Sequence, residues 1–187
     1  MLLEFEVENF RSFAEPATLS LIASSDRSHE DRLIGMEGSR DRAVRSASVY
    51  GANASGKSNL IMALGMVQTM VLRSHLAQLG EPLPFFPFKF ARPGEMSSTR
   101  YRLVFLADGV EYEYSLRHNA EMVLEESLYH YPRNRRAIIF ERAPGHELRA
   151  PQDDGSLREI AGRTIPNALL LSKAVQDNLA IVIPAFK

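Results

Sequence analysis

Hydrophobic and acidic residues alternate at the start of the chain. Leu3, Phe5 and Val7 are separated by single glutamates. A period of two is typical of a strand with one buried face, so the chain is predicted to open on a strand. Residues 17–23 form a second, shorter candidate strand. The polar stretch 24–43 is predicted to be an irregular connection.

The spacing changes to that of a helix after Ser58. Hydrophobic residues then recur every three to five positions, at Leu60, Leu64, Val67, Val71 and, less regularly, Leu76 and Leu79. This pattern predicts an amphipathic helix that Gly80 and Pro82 end. The preceding segment 46–50 is short and partly β-branched, and is predicted to be a strand that runs into Gly51.

The second half of the chain has the pattern of short strands. Runs 101–106 and 110–116 flank an Asp-Gly pair, Asp108-Gly109, which is a strong hairpin signal. Two more strands are predicted at 122–131 and 137–142, joined by a basic turn. Residues 145–155 are predicted to be a loop, and residues 167–177 a helix.

Composition narrows the class of protein. The chain has 187 residues, no cysteine and a net charge of −1. Disulfides and thiolate metal sites are therefore excluded, and nothing in the net charge favours DNA as a partner. No apolar run reaches the roughly 20 residues that span a bilayer, and no signal peptide is evident. A cytoplasmic protein with no membrane partner is expected.

The strongest chemical signal is the motif Gly-x-x-x-x-Gly-Lys-Ser at residues 51–58. Gly51 and Gly56 let backbone N–H groups turn toward an anion, and the following helix adds its N-terminal dipole. Lys57 is expected to reach the β- and γ-phosphates, and the Ser58 hydroxyl to bind Mg²⁺. We therefore predict ATP with Mg²⁺. Adenine is preferred because the guanine-reading motif Asn-Lys-x-Asp is absent.

Two segments carry a family resemblance, LEFEVENFRSF at 3–13 and VYGANASGKSNL at 49–60. Together they resemble the N-terminal lobe of ABC-type ATPases of the SMC and RecF class. They are most similar to the AAA-type ATPases related to OLD proteins that occur in bacterial antiphage systems. The resemblance implies an α/β fold, with a P-loop NTPase core beside an antiparallel β-subdomain. Residues 1–187 would be the N-terminal, Walker A half of one ABC-type ATPase head.

The same resemblance extends the predicted site. It implies that ATP lies between two ATPase heads, with Asn9–Ser12 near the nucleotide. Arg11 is then either a phosphate contact or simply an exposed arginine, two interpretations of equal weight, and Ser12 lies beside it. The predicted nucleotide-binding residues are Gly51, Ala52, Asn53, Ala54, Ser55, Gly56, Lys57, Ser58, Asn59, Arg11 and Ser12. Lys57 is the catalytic candidate, and Ser58 the metal ligand.

Three further motifs imitate parts of an ATPase. Gln176 is a second metal candidate, as a Q-loop glutamine, although a surface glutamine is the commoner case. The run LVFLAD ending at Asp108 imitates a Walker B strand, but a hairpin turn is favoured there. Leu171-Ser172-Lys173 lacks the glycines of the ABC signature. Because the Walker B motif and the ABC signature motif are missing, we predict an incomplete ATPase head. Alone, this head would bind ATP but hydrolyse it negligibly.

Several alternatives remain open. The main rival function is a non-catalytic regulatory or assembly module that binds ATP and docks an effector such as a nuclease. A small nucleotide kinase is disfavoured because no lid arginine cluster is evident. The aromatic run 85–90 contains Lys89 and is suited either to stacking on bases or, more commonly, to core packing. Arg133, Arg135 and Arg136 are interpreted as a solvated turn rather than a DNA contact.

Overall fold

The fold is described here from a computed structural model, for residues 1–26, 29–35, 42–92, 96–151 and 155–186. Its strands are β1 (Leu2–Glu8), β2 (Ala17–Ser20), β3 (Ile34–Gly35), β4 (Arg42–Ala43), β5 (Thr99–Ala107), β6 (Val110–His118), β7 (Val123–His130) and β8 (Ala137–Arg142). Its helices are α1 (Lys57–Arg73), α2 (Gly155–Arg163), α3 (Leu170–Gln176) and α4 (Ile183–Phe186). Short 3₁₀ turns occur at Glu30–Arg32, Ser74–Leu76 and Pro132–Asn134.

Six of the strands form one sheet in the order β2-β1-β5-β6-β7-β8. Every neighbouring pair in it is antiparallel, and β1 pairs with the distant β5, so that Phe5 lies opposite Leu103. One face of the sheet is buried. The other is polar, and Arg102 there bonds to Glu4 at 3.1 Å and to Glu113 at 3.4 Å. An antiparallel sheet with one solvated face explains the alternation at the start of the chain.

Helix α1 covers part of the buried face through Ala63, Val67 and Met70. The predicted apolar stripe is confirmed over these turns. Its last two members are not part of the core, since Leu76 and Leu79 are exposed. The helix ends at Arg73 and tightens into a 3₁₀ turn, which breaks the 3.6-residue period that would have kept both leucines on the same face.

A buried carboxylate joins the sheet to α3. Glu126 accepts hydrogen bonds from the Tyr114 hydroxyl at 2.9 Å, the Arg142 Nε at 2.8 Å, and the backbone N–H groups of Leu170 and Leu171 at 2.7 and 2.9 Å. Burial and the adjacent Glu126 carboxylate raise the pKa of Tyr114, so its hydroxyl remains a donor. The carboxylate thereby satisfies the first N–H groups of the helix, which have no intrahelical partner.

Most predicted elements are present, including the two opening strands, the helix after Ser58 and the helix near 167–177. Helices α2 and α4 were not predicted. The strand predicted at 46–50 is wrong, because the structure assigns that segment to no strand or helix. Within the described ranges, no backbone–backbone hydrogen bond involves residues 45–50. Parts of the predicted connections 24–43 and 145–155 lie outside the described residues.

The predicted hairpin is confirmed. Strands β5 and β6 pair over their full length, with Ala107 opposite Val110. The two turn residues between them both have positive φ, 49° at Asp108 and 77° at Gly109. Two successive left-handed residues define a type I′ turn, which favours glycine at the second position.

We predict that Gly109→Val lowers the melting temperature, because a β-branched residue at positive φ costs about 1–2 kcal/mol. Gly162→Ala is the matched control, since Gly162 lies in helix α2 with nothing within 4 Å of an added Cβ. That control should raise stability slightly. Equal melting temperatures for Gly109→Val and the wild type would contradict the turn assignment.

Candidate functional site

The conformation of residues 51–58, called the glycine loop below, is unusual at two positions. Ala54 has φ 63° and Gly56 has φ 97°, both left-handed. Helix α1 begins at the next residue, Lys57, and the loop is exposed up to Gly56, which is buried. Left-handed residues alternating with others can turn successive N–H groups toward one side, as in the concave anion sites of other proteins. The φ angles of the loop fit that arrangement, and its role in phosphate binding stays a prediction.

The Lys57 side chain folds back over the loop. Its ammonium donates to the Gly51 carbonyl at 2.9 Å and to the Ala52 carbonyl at 2.7 Å. An ammonium has three N–H donors, so these bonds leave one donor and the full positive charge for another acceptor. The lysine thus fixes the start of the loop and places a positive charge beside the Gly51 and Ala52 carbonyls.

The loop also touches the turn that follows β1. A Cβ at Gly56 would lie 2.8 Å from the Ser12 Oγ and 3.4 Å from the Phe13 ring, and residues with a side chain rarely adopt its φ of 97°, so the position favours glycine. Next to it, the Asn59 Nδ2 donates to the same Ser12 oxygen at 2.8 Å. The structure therefore brings Ser12 against the loop, with Arg11 exposed beside it.

Asn9 holds this turn in place, a role that the sequence analysis did not foresee. Its side-chain amide donates to the carbonyls of Met96 and Ser98 at 3.0 and 2.8 Å and accepts from the Phe88 N–H at 2.8 Å. The residue is buried and has φ 50°. Asparagine directly after a strand was the available signal, since its side chain can bond to nearby backbone and tolerates left-handed φ.

An aromatic row extends from the turn into the core. The Arg11 N–H donates to the Phe86 carbonyl at 2.7 Å, and its guanidinium lies 5.1 Å from the Phe86 ring centroid. Phe86 meets Phe10 edge to face at 6.4 Å. Further inward, Tyr101 stacks on His118 at 5.9 Å, and burial lowers the pKa of His118, which favours a neutral ring. The row gives Arg11 and Phe86 a rigid base.

The comparison with known protein families addresses the same region. A family profile described as "AAA domain, putative AbiEii toxin, Type IV TA system" matches residues 46–162, more than half of the chain. The chain belongs to this AAA family. The match includes the glycine loop and begins after β1 and β2, so it leaves out the turn that carries Ser12. No curated protein matches the chain.

Membership makes this AAA domain a nucleotide-binding, ATPase-like module, and it agrees with the observed mixture of helices and an antiparallel sheet. Ser58 is exposed in the first turn of α1, as a metal ligand requires. Gln176 ends α3, where its Oε1 accepts from the Lys173 Nζ at 2.6 Å. This contact ties Gln176 to α3 rather than to the loop, and its metal role stays a prediction.

The motifs that resemble catalytic ones lie in other elements of the fold. Asp108 belongs to the hairpin turn, and Leu171-Ser172-Lys173 lies inside α3. The Arg136 guanidinium lies 3.7 Å from the centroid of the Tyr129 ring and pairs with Glu113. These placements agree with the structural interpretations preferred from the sequence.

A cavity of about 500 Å³ lies beside β8 and α2, away from the glycine loop. Its two arginines already bind protein groups: Arg142 pairs with Glu126, and Arg158 donates to the Pro151 carbonyl at 3.1 Å. Both arginines are therefore engaged within the protein. Among the described residues, no helix is long and apolar enough to cross a bilayer.

We predict that Gly56→Ala weakens triphosphate binding and lowers the melting temperature. The new Cβ would meet Ser12 at 2.8 Å, and the backbone would be held at φ 97°. Gly65→Ala is the control, because Gly65 lies in α1 with open space around an added Cβ. Calorimetric titration and thermal melting should separate the two variants. Wild-type behaviour of Gly56→Ala would show that the close contact with Ser12 is not required.

Proposed function

We propose that this AAA domain binds Mg²⁺–ATP in the glycine loop and is the Walker A half of an ABC- or SMC-like ATPase head. The observation that carries the proposal is the Lys57 ammonium, bound to two loop carbonyls at the start of α1. A cation held at a helix N-terminus, beside a glycine loop with left-handed residues, is suited to a polyphosphate.

The residues of the loop fit such a ligand. Gly51 and Gly56 let the backbone turn tightly at both ends of the loop, which would allow phosphate oxygens to approach its N–H groups. Lys57 would contact the β- and γ-phosphates, and the Ser58 hydroxyl would be one Mg²⁺ ligand beside phosphate oxygens. The remaining loop residues, from Ala52 to Ser55, and the N–H of Asn59 would line the phosphates. When bound, the metal neutralises charge on the phosphoryl group.

Hydrolysis, in this proposal, requires a further polypeptide segment. Residues 45–50 make no backbone–backbone hydrogen bond to the described residues, and Tyr50 is 88% exposed. On the other side of the loop, Ile61 is 62% exposed. Val49 and Met62 are exposed as well. A strand and helix from the rest of a head, in the same chain or in a partner, would cover these groups and supply the missing carboxylate.

The process served would be DNA maintenance or antiphage defence, with a second ATPase head as the partner. The alternative is a non-catalytic module that binds ATP to dock an effector such as a nuclease. Both require nucleotide in the glycine loop. They differ in whether the completed assembly hydrolyses ATP.

The first test is Lys57→Ala. We expect loss of most Mg²⁺–ATP affinity, because the point charge at the loop is removed, with little change in melting temperature. Gln68→Ala is a polar control, because Gln68 is exposed on α1 well beyond the glycine loop, and it should leave ATP affinity near that of the wild type. Calorimetric titration measures both, and equal affinity in Lys57→Ala and wild type would reject the site.

The second test is turnover. We expect the isolated chain to release phosphate far below the roughly 1–100 s⁻¹ of phosphoryl-transfer enzymes, because an oriented carboxylate is missing. Each absent stabilising group costs about a hundredfold or more in rate. A phosphate-release assay with Lys57→Ala as contamination control measures this. Robust turnover that vanishes in the variant would show that the chain already holds the catalytic acid.

A further inference from the structure

We propose that the polar face of the sheet holds a second anion site, which takes one compact phosphate group, either inorganic or on a small molecule. The site is independent of the function proposed for the glycine loop, because helix α1 packs on the opposite, buried face. It is a depression of about 320 Å³, called the arginine depression below. Its lining includes four arginines and two serines, namely Arg100, Arg102, Arg117, Arg136, Ser115 and Ser127.

The register of the sheet places two of these arginines side by side. Arg100 on β5 lies directly opposite Arg117 on β6, and like charges in such positions destabilise a sheet. The neighbour of Arg100 on the other side is Glu8 on β1. The ion pairs of this face involve the other three arginines, and none within the described ranges includes Arg100. An anion placed between Arg100 and Arg117 would relieve the repulsion between them.

Hydrogen-bond donors in the arginine depression lack acceptors. The Arg117 Nε is buried without a partner, although the other end of the guanidinium binds Glu125 at 2.7 Å. Ser115 and Ser127 lie opposite each other on β6 and β7, and in the described part of the chain neither hydroxyl makes a hydrogen bond. A buried donor without an acceptor is costly, so the site favours a ligand rich in acceptor oxygens. Phosphate suits arginine in particular, because two parallel N–H groups meet two of its oxygens.

The charge of the lining also favours an anion. Two carboxylates, Glu113 and Glu125, line the depression with the four arginines, so the lining carries a net charge of +2. Glu113 is shared, since it pairs with Arg102 at 3.4 Å and with Arg136 at 3.7 Å. A phosphate group, with a charge of about −1.5 to −2 at pH 7, would balance the excess.

The neighbouring strands limit the size of the ligand. Strand β1 presents Glu4, Glu6 and Glu8 on the same face, next to β5. On the far side, Glu125 on β7 and Glu141 on β8 do the same. The basic strip between them is two strands wide, about 10 Å at the usual strand spacing. A long polyanion that crossed the sheet would pass over these carboxylates, whereas a single phosphate group fits between them.

The experiment follows the backbone amide signals of the ¹⁵N-labelled full chain by NMR while inorganic phosphate or glycerol phosphate is added at low ionic strength. All proteins carry Lys57→Ala, which reduces the contribution of the glycine loop. The test variant adds Arg100→Gln, because Arg100 is exposed and its replacement breaks no ion pair with a described residue. The matched control adds Arg73→Gln, which removes an exposed arginine at the end of α1 and changes the net charge equally. Thermal melting checks that each variant is folded.

We expect both phosphates to shift the amide signals of the arginine depression. Arg100→Gln should weaken this binding about tenfold, as for the loss of one charged hydrogen-bond partner. Arg73→Gln should bind as the Lys57→Ala parent does. Tighter binding of glycerol phosphate would identify phosphate esters as the ligand class, and tighter binding of inorganic phosphate would identify the free ion.

Three results would overturn the site. They are the absence of shifts in the arginine depression, shifts confined to the glycine loop, and equal weakening by Arg100→Gln and Arg73→Gln, which would report net charge alone. A single-stranded oligonucleotide tests the size of the ligand. If it bound to the same amides more tightly than either phosphate, the compact ligand would be wrong and the face would be a nucleic-acid surface.

Discussion

The side-chain amide of Asn9 holds together three parts of the chain that are far apart in sequence. It binds carbonyls at Met96 and Ser98 and the N–H of Phe88, so the end of β1, the approach to β5 and the aromatic segment meet at one buried group. The Asn9 carbonyl also accepts from the Thr99 hydroxyl at 2.8 Å. Replacing this amide with an apolar group would leave several buried polar atoms unpaired, each costing about 1–3 kcal/mol.

The position of the glycine loop depends indirectly on these Asn9 hydrogen bonds. The turn that Asn9 positions presses Ser12 and Phe13 against Gly56, and Ser12 also binds Asn59. Two constraints therefore act on the loop. The Lys57 ammonium binds two carbonyls at the start of the loop. The turn after β1 packs against the end of the loop at Gly56. The antiparallel sheet, although it contributes no residue to the phosphate motif, fixes where that motif can lie.

The sequence allowed the local parts of this arrangement to be predicted, because their causes are local. Alternation identified β1, the Asp-Gly pair identified the hairpin, and the glycine–lysine motif identified the loop. The strand expected at 46–50 failed because a strand also needs a neighbour, and no described segment pairs with it. Contacts such as Asn59 with Ser12 join residues 47 positions apart, and no periodicity in the sequence reports them. The hydrogen bonds that Glu126 accepts from the first N–H groups of α3 likewise join residues that are far apart in the sequence.

Residues 45–50, which make no backbone–backbone hydrogen bond to the described part of the chain, lead directly into the glycine loop, so a segment that orders them would also help to order the loop. In the proposed function, nucleotide binding and strand pairing would then be thermodynamically linked. If a pairing segment raises nucleotide affinity by some factor, the nucleotide must raise the affinity for that segment by the same factor. A phosphate ligand would in this way couple the ordering of the glycine loop to the binding of the segment that completes the site. The extent to which the completing segment binds this chain would then depend on the nucleotide concentration in the cell.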